Sequence, residues 1–127
     1  MTEKRGSILI VEDDAELRKT IVDVLSMCGH DLCEAESGSS ALKKIIERRP
    51  LVIISDLMMP NGSGLDLAKT LTKHELKIPF VLLTGRRELD TECYTEPTIK
   101  HILFKPFKPQ EILSLIQELT KPKENKQ

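Results

Sequence analysis

The sequence predicts an α/β fold in which a doubly wound parallel sheet carries helices on both faces. Short apolar runs rich in Val and Ile alternate with segments of helical periodicity, and this strand-then-helix unit occurs five times. Parallel neighbouring strands need right-handed crossover connections, which place helices on both sides of the sheet. A third observation bears on function, because four of the five apolar runs end in a charged or hydroxyl residue.

The length and composition fit one domain with an aliphatic core. The chain has 127 residues, of which 39% are hydrophobic, and it contains no Trp and one Tyr. We expect the domain to span residues 7–120, between an N-terminal tail (1–6) and a disordered C-terminal tail (121–127). The C-terminal expectation follows from the polar, lysine-rich character of the last residues.

The charge balance gives no sign of a nucleic-acid or membrane partner. Lys and Arg number 19 against 20 Asp and Glu, so the formal net charge is -1. No apolar run approaches the ~20 residues that span a bilayer. The three cysteines form no CxxC pair, and the N-terminus lacks an apolar signal segment. We therefore expect a cytoplasmic protein that binds neither DNA nor membranes directly.

The first unit consists of a buried strand, an acidic turn and a helix. The apolar run Ser7 to Val11 ends in three consecutive acidic residues, Glu12 to Asp14. Apolar residues then recur at helical spacing from Leu17 to Cys28, and Gly29 is expected at the C-terminal end of this helix.

The second unit supplies a strand suited to the edge of the sheet. The segment His30 to Glu36 is half polar, and its alternation fits a strand with one exposed side. Turn and cap residues follow, and they precede a predicted helix. The apolar stripe of this helix is Ala41, Leu42, Ile45 and Ile46.

The third unit carries the residue around which a site is predicted. Leu51 to Ile54 lead through Ser55 into Asp56, as in a buried central strand, and a loop of Pro, Asn and Gly follows. The next helix begins at about Leu65. A buried carboxylate is costly unless a cation or hydrogen bonds compensate it. Asp56 is therefore either a turn cap or a reactive group that faces a crevice.

The last two units complete the alternation. Ile78 to Thr84 is the predicted fourth strand, and Ile99 to Phe104 is the fifth, which leads into Lys105. Residues 86–98 show little apolar periodicity, so we expect a short, weakly anchored helix or a loop there. The final helix is predicted to begin at Pro109.

The residues at the strand ends predict a common site. In an open parallel sheet, ligands bind outside the carboxyl ends of the strands. Those ends carry Glu12, Asp13, Asp56, Thr84 and Lys105. Three carboxylates in one crevice repel each other unless a cation lies among them, and hard oxygen ligands favour Mg²⁺. Taken singly, each residue has a structural explanation, such as a helix N-cap, but four strand ends together favour a functional site.

Four motifs in this order resemble the receiver domain of two-component response regulators: VEDD, DLMMPNGSGLDL, TG and KPF. The resemblance covers about Ser7 to Thr120. It implies a flavodoxin-like, five-stranded sheet with strand order 2-1-3-4-5. It also implies that a sensor histidine kinase or a histidine phosphotransfer protein phosphorylates an aspartate, and that a downstream protein reads the helix 4, strand 5, helix 5 face.

The resemblance assigns the acidic residues of the site. The metal-binding pair of the family falls on Glu12 and Asp13, with Asp14 just outside it, and the phosphoacceptor falls on Asp56. The family uses a backbone carbonyl two residues later, here that of Met58, as a further ligand for Mg²⁺ or Mn²⁺. The side chains of Asp14 and Met58 are candidates to modulate the site.

The resemblance also assigns the residues that respond to the phosphoryl group. Thr84 matches the switch hydroxyl, and Lys105 matches the lysine that pairs with the phosphoryl group. The peptide bond to Pro106 is expected to be cis, as in many relatives. The switch aromatic of the family falls on Ile102, which is not aromatic. Ile102 and Arg86, which lies two residues after Thr84, are the other candidate modulators.

Three functions remain open from the sequence. The first is a phosphoacceptor switch, which assists its own phosphorylation without being an enzyme. The second is a receiver-like module that docks partners independently of phosphorylation, which is motivated by Ile102 and by the irregular stretch 86–97. The third, an enzyme that hydrolyses external phosphate esters, is less favoured because the sequence offers no general base placed for turnover.

Overall fold

The computed structural model describes residues 6–59 and 62–121, which form one five-stranded sheet, a two-stranded ribbon and five helices. The strands are β1 Ser7–Val11, β2 Asp31–Ala35, β3 Val52–Asp56, β4 Met58–Met59, β5 Gly62–Ser63, β6 Phe80–Thr84 and β7 Ile99–Phe104. The helices are α1 Ala15–Leu25, α2 Gly38–Glu47, α3 Gly64–Lys73, α4 Glu92–Thr95 and α5 Pro109–Leu119.

The large sheet has the predicted topology. Its order is β2-β1-β3-β6-β7, and every neighbouring pair is parallel. Without the ribbon strands β4 and β5, this is the order 2-1-3-4-5 of a flavodoxin-like fold. The central strand β3 is buried along its whole length, whereas the edge strand β2 is half exposed, as its half-polar sequence predicted.

The core consists of two apolar layers, one on each face of the sheet. Alternate residues of a strand point to opposite faces, so the continuous apolar runs serve both layers. One layer joins strand residues to Ile21 and Leu25 of α1 and to Ile112 and Ile116 of α5. The other joins them to α2 and α3 through Ala41, Ile45, Ala68 and Leu71. Helices therefore cover both faces, as predicted.

Two expectations about the first helices were wrong in detail. Helix α1 ends at Leu25, and Gly29 lies further along, in the turn that leads to β2, with a φ of +84° that suits glycine. In α2, Ala41 and Ile45 are buried but Ile46 is 80% exposed. One residue turns a helix by about 100°, so Ile46 lies beside the buried stripe and not on it.

The segment 86–98 contains a short helix, as predicted, but the helix is better anchored than expected. Helix α4 has four residues. Its Cys93 is buried in the core layer that contacts α2 and α3, and Glu92 forms an ion pair with Lys69 of α3 at 2.9 Å. The buried Cys93 and the ion pair of Glu92 therefore anchor the helix. Single contacts of this kind produce no apolar periodicity, so the sequence pattern did not reveal them.

The ribbon of β4 and β5 was not predicted from the sequence. Met58 pairs with Ser63 and Met59 with Gly62 in antiparallel fashion. Ser63 then caps α3: its side chain accepts the N–H of Asp66, whose carboxylate accepts the N–H of Ser63. The two short strands that follow Asp56 thus pair with each other, and the second one leads into α3.

The tails predicted for residues 1–6 and 121–127 lie almost entirely outside the described residues. Of these two segments, the structure describes only Gly6 and Lys121. Among the helices that the structure describes, none has the length and apolar character needed to cross a membrane.

Candidate functional site

Three carboxylates meet at the carboxyl edge of the sheet. Strands β1 and β3 are neighbours in register, with Val11 opposite Ser55, so the residues that follow them lie side by side. Glu12, Asp13 and Asp56 each offer one carboxylate oxygen, and these three oxygens lie within 4.8 Å of one another. Glu12 and Asp56 are only 2% and 6% exposed, whereas Asp13 is exposed. The predicted convergence of these acids is therefore present.

Local hydrogen bonds explain how the acidic turn after β1 is built. Asp14 is the N-cap of α1, and its side chain accepts the N–H groups of Glu16 and Leu17. Glu12 donates its own N–H to the carbonyl of Ala35 at 3.0 Å, and its Oε2 accepts the N–H of Asp14 at 3.1 Å. The N-cap explanation thus holds for Asp14, which belongs to the helix, but not for Glu12.

Lys105 is the cation of the site. Its Nζ lies 2.9 Å from Oδ1 of Asp56 and 3.9 Å from Oε1 of Glu12. The backbone N–H of Lys105 donates to the carbonyl of Thr84 at 2.8 Å, which fixes the start of the loop after β7. The Lys105–Pro106 bond is cis, as expected.

Burial and the repulsion between carboxylates raise the pKa values of two acidic residues of the site. Burial raises the pKa of Glu12 from 4.5 to about 7, and the charges of Asp56 and Asp13 add to this rise. Burial also raises the pKa of Asp56, although the hydrogen bond and the charge of Lys105 oppose this. One ammonium group therefore does not compensate the carboxylates.

The donor set fits a divalent metal ion. Oε1 of Glu12 is buried and has no hydrogen-bond partner among the described residues. A buried carboxylate oxygen without a partner is costly, and an ion or a water molecule bound to one would compensate it. Two further carboxylates lie within reach, and an all-oxygen set with one exposed side suits the partly hydrated Mg²⁺ ion.

Thr84, Met58 and Arg86 border the site. Thr84 is buried at the end of β6, and its Oγ1 accepts the N–H of Arg86 at 3.0 Å, which leaves the hydroxyl proton free to donate. Met58 is 54% exposed, and its Sδ lies 3.6 Å from Nη1 of Arg86. Two of the predicted modulators thus contact each other.

Sequence reasoning did not identify Ser55 and Gly64, which both lie against the backbone carbonyl of Asp56. Ser55 is fully buried, and its Oγ donates to the carbonyl oxygen of Asp56 at 3.0 Å. At Gly64, a Cβ would lie 2.5 Å from that same carbonyl oxygen, so only glycine allows α3 to begin this close to β3. The available signal was the glycine that closes the loop sequence and immediately precedes the predicted helix.

Ile102 of β7 packs against the core and not at the site. It pairs with Leu82 of β6, is partly buried, and contacts the core layer on the α2 and α3 side. Phe104 lies two residues later and therefore on the same face of the sheet. The guanidinium of Arg87 lies 5.5 Å from the centroid of the Phe104 ring. An aromatic contact between β7 and the loop after β6 therefore exists, but at position 104.

Comparison with known proteins agrees with this geometry. The family model of the response regulator receiver domain matches residues 8–117. The phosphate regulon transcriptional regulatory protein PhoB of Pseudomonas aeruginosa is 36% identical over 114 residues, which are 87% of this chain and 50% of that protein. The chain thus spans about half the length of the curated relatives it matches.

Solved structures give the same result. A CheY-like response regulator receiver domain from Methylobacillus flagellatus superimposes with a TM-score of 0.80 at 28% identity, covering 91% of this chain and 99% of that one. The response regulator TrrA from Thermotoga maritima, solved in complex with Mg²⁺-BeF, has a TM-score of 0.80 at 27% identity and covers 90% of this chain and 98% of its own. With its acidic pocket at the expected edge of the sheet, this chain belongs to the response regulator receiver domain family of two-component signalling.

Proposed function

We propose that this chain accepts a phosphoryl group on Asp56 from a phosphohistidine of a sensor histidine kinase or a histidine phosphotransfer protein. The observation that carries the proposal is the position of Asp56. Its carboxylate ends the central strand, 2.9 Å from Lys105 Nζ and within 4.8 Å of carboxylate oxygens from Glu12 and Asp13. A nucleophile, a cation and a metal-binding pair are therefore together at one strand end.

The transfer itself is a single displacement at phosphorus. A carboxylate oxygen of Asp56 attacks the phosphorus atom, so an O–P bond forms while the P–N bond to the donor imidazole breaks. The electron pair of the broken bond stays on the imidazole nitrogen, which then takes a proton. The hydrogen bond and the charge of Lys105 favour the ionised form of Asp56 before the attack, and Lys105 pairs with a phosphoryl oxygen afterwards. The hydroxyl of Thr84 donates to another phosphoryl oxygen.

Mg²⁺, or Mn²⁺, is the proposed cofactor. We assign its ligands to the carboxylates of Asp13 and Asp56 and the carbonyl of Met58, with Glu12 acting through water. When bound, the ion supplies positive charge that neutralises the carboxylates and the transferred phosphoryl oxygens. The TrrA structure with Mg²⁺-BeF supports this assignment by analogy.

The contact between Arg86 and Met58 is proposed to modulate the lifetime of the phosphorylated state. Both side chains border the loop edge of the site, 3.6 Å apart at Nη1 and Sδ. Together they restrict the approach of water to the phosphoryl group. Asp14, by contrast, is engaged as the helix cap, so its effect on the site is limited to positioning.

The output is proposed to be a change in protein contacts. A phosphorylated carboxylate carries roughly two negative charges where Asp56 carried one. This added charge attracts Thr84 and Lys105, which end β6 and begin the loop after β7, and so shifts the α4, β7 and α5 face that a downstream protein reads.

A second candidate is a docking module that does not depend on phosphorylation. The observation that favours it is Ile102, because an aliphatic core residue occupies the position of the switch aromatic. Such a module would keep the fold and the α4, β7 and α5 face but would not couple that face to Asp56.

Intact-mass measurement after incubation with acetyl phosphate and Mg²⁺ separates the two candidates. We expect a gain of one phosphoryl group, about 80 Da, that is absent from Asp56→Asn. The matched control is Asp23→Asn, which replaces an exposed aspartate of α1 and should keep the gain. An unmodified wild-type chain, or an unchanged gain in Asp56→Asn, would leave the docking module as the better account.

A further inference from the structure

We propose that Arg18 is a positioning residue of the acidic site, which holds the turn after β1 so that Glu12 and Asp13 face Asp56. This inference rests on the proposed metal-dependent function. Nη1 of Arg18 donates to the backbone carbonyl of Glu12 at 2.6 Å, and its Nε donates to the carboxylate of Glu34 at 3.0 Å. One guanidinium therefore connects the acidic turn to the edge strand β2.

The position of Arg18 in α1 makes this reach possible. Asp14 caps the helix, and Arg18 lies one turn further on, where it donates its own N–H to the Asp14 carbonyl. Its side chain extends back over the turn and is only 19% exposed, whereas Glu34 is 49% exposed. The fork of a guanidinium can donate to two acceptors in fixed directions, which a lysine ammonium does less well.

The contact with Arg18 is one of three hydrogen bonds that hold Glu12. The N–H of Glu12 donates to the carbonyl of Ala35, its carbonyl accepts from Arg18, and its Oε2 accepts the N–H of Asp14. The turn is thus attached to β2 on one side and to α1 on the other. These bonds direct the remaining oxygen, Oε1, towards the cluster, where it is buried and has no hydrogen-bond partner among the described residues.

Arg18 acts through the backbone and not through its charge. Its Nη1 contacts the backbone carbonyl of Glu12 and its Nε contacts the carboxylate of Glu34, so neither donor contacts a carboxylate of the acidic cluster. This distinction predicts the sign of a measurable effect. If only its charge mattered, removing a cation near the carboxylates would strengthen the binding of Mg²⁺. If Arg18 positions the turn, its removal weakens the binding, because the ligands lose their arrangement.

The test is calorimetric titration of Mg²⁺ into the unphosphorylated full chain. The chain has no Trp, so tryptophan quenching cannot report binding. We expect Arg18→Ala to weaken Mg²⁺ binding by tenfold or more, the range that ligand-supporting residues show. Arg18→Lys should recover part of the affinity. Lys19→Ala is the matched control, because that exposed lysine forms an ion pair with Asp23 on the surface of α1, and it should change affinity by less than about twofold.

Glu34→Gln provides a second test in which the arginine stays in place. Losing the charged second anchor should weaken Mg²⁺ binding several-fold, and less than Arg18→Ala does. All titrations are made well below each variant's thermal transition, so a loss of stability alone leaves the affinity unchanged.

Unchanged or tighter Mg²⁺ binding in both Arg18→Ala and Glu34→Gln would overturn the positioning role while leaving the proposed function intact. Failure of the wild-type chain to bind Mg²⁺ would instead overturn the metal-dependent function, and the positioning role with it. A weakening in both variants, with the Lys19→Ala control unchanged, supports the inference.

Discussion

At the scale of single residues, identical chemistry serves different purposes because the surroundings differ. Glu12 and Asp14 are acidic residues two positions apart. Asp14 accepts two N–H groups as a helix cap, whereas Glu12 is buried with one oxygen that has no partner among the described residues. The sequence shows three consecutive acids and cannot distinguish these cases, since the difference depends on hydrogen bonds to Ala35 and Arg18.

The stability of the metal-free protein should depend on pH through Glu12. Burial raises its pKa from 4.5 to about 7, so between these values the folded state holds a proton that the unfolded chain has lost. The contribution of Glu12 to the free energy of unfolding therefore falls as pH rises from about 4.5 to about 7. Glu12→Gln should flatten this fall and stabilise the metal-free protein at pH 8, by an amount that scales with about 1.4 kcal/mol per pKa unit.

Urea unfolding at several pH values in EDTA measures this effect. The raised pKa of Asp56 leaves a residual slope in Glu12→Gln. Glu16→Gln, at an exposed position in the first turn of α1, is the control and should keep the wild-type slope. If Glu12→Gln and wild type lose stability equally with rising pH, Glu12 is not the buried acid described here.

Lys105→Ala should separate metal binding from the response to phosphorylation. Without the ammonium 2.9 Å from Asp56, the repulsion of Mg²⁺ decreases, so calorimetry should show equal or tighter binding. The phosphoryl group would lose its cationic partner, so amide chemical-shift changes in α4 and β7 upon phosphorylation should become smaller.

The control for this variant is Lys100→Ala, which removes an exposed lysine of the same strand β7. It should leave both readouts unchanged. Wild-type chemical-shift changes in Lys105→Ala would refute the role of this lysine in the switch.

At the scale of elements, the strand ends create the site and the helix starts support it. Strands β1, β3 and β7 contribute the charged groups, because parallel strands end at the same edge of the sheet. Helix α1 supplies the Asp14 cap and Arg18, and α3 begins at Gly64, against the carbonyl of Asp56. The strand contributions were predictable from sequence order. The helix contributions were not, because they depend on contacts between elements.

Gly64→Ala should disturb the phosphoacceptor through the start of α3. The added Cβ would lie 2.5 Å from the carbonyl of Asp56 and 2.9 Å from Leu82, so backbone must move. Overpacking of this kind costs about 1–3 kcal/mol of stability. We also expect slower phosphorylation by acetyl phosphate, because the displaced backbone is that of the nucleophile.

The matched control is Gly38→Ala at the start of α2, where a Cβ meets nothing within 4 Å. It should be neutral or slightly stabilising by thermal unfolding. Gly64→Ala with wild-type stability and phosphorylation rate would show that the close approach to Asp56 is not required.

At the scale of the whole molecule, the fold class was predictable and the fine structure around the site was not. Five short apolar runs, each followed by a helical pattern, predicted the doubly wound parallel sheet, and the resemblance to receiver domains supplied its strand order. The ribbon of β4 and β5 was missed because its four residues carry no strand pattern. The anchoring of α4 was missed because it depends on Cys93 and on an ion pair to α3, 23 residues earlier in the chain.

The residues of the candidate site likewise fall into two groups, those that the sequence predicted and those that only the folded structure identified. Asp13, Asp56 and Lys105 could be predicted because each lies at the end of an apolar run or within two residues after it, at a known edge of the sheet. Arg18, Ser55 and Gly64 could not, since a polar residue on a helix, a serine in a strand and a glycine after a loop have no distinctive pattern. Their importance comes from the backbone atoms that they contact in the folded chain.

The central claim is that Asp56 is a nucleophile whose site requires a divalent metal ion. The most direct measurement is ¹⁹F NMR of beryllofluoride, a phosphoryl mimic, added to the full chain with and without Mg²⁺. We expect bound fluorine resonances for the wild type only when Mg²⁺ is present, and none for Asp56→Asn under either condition. Equal binding without Mg²⁺, or binding that persists in Asp56→Asn, would contradict it.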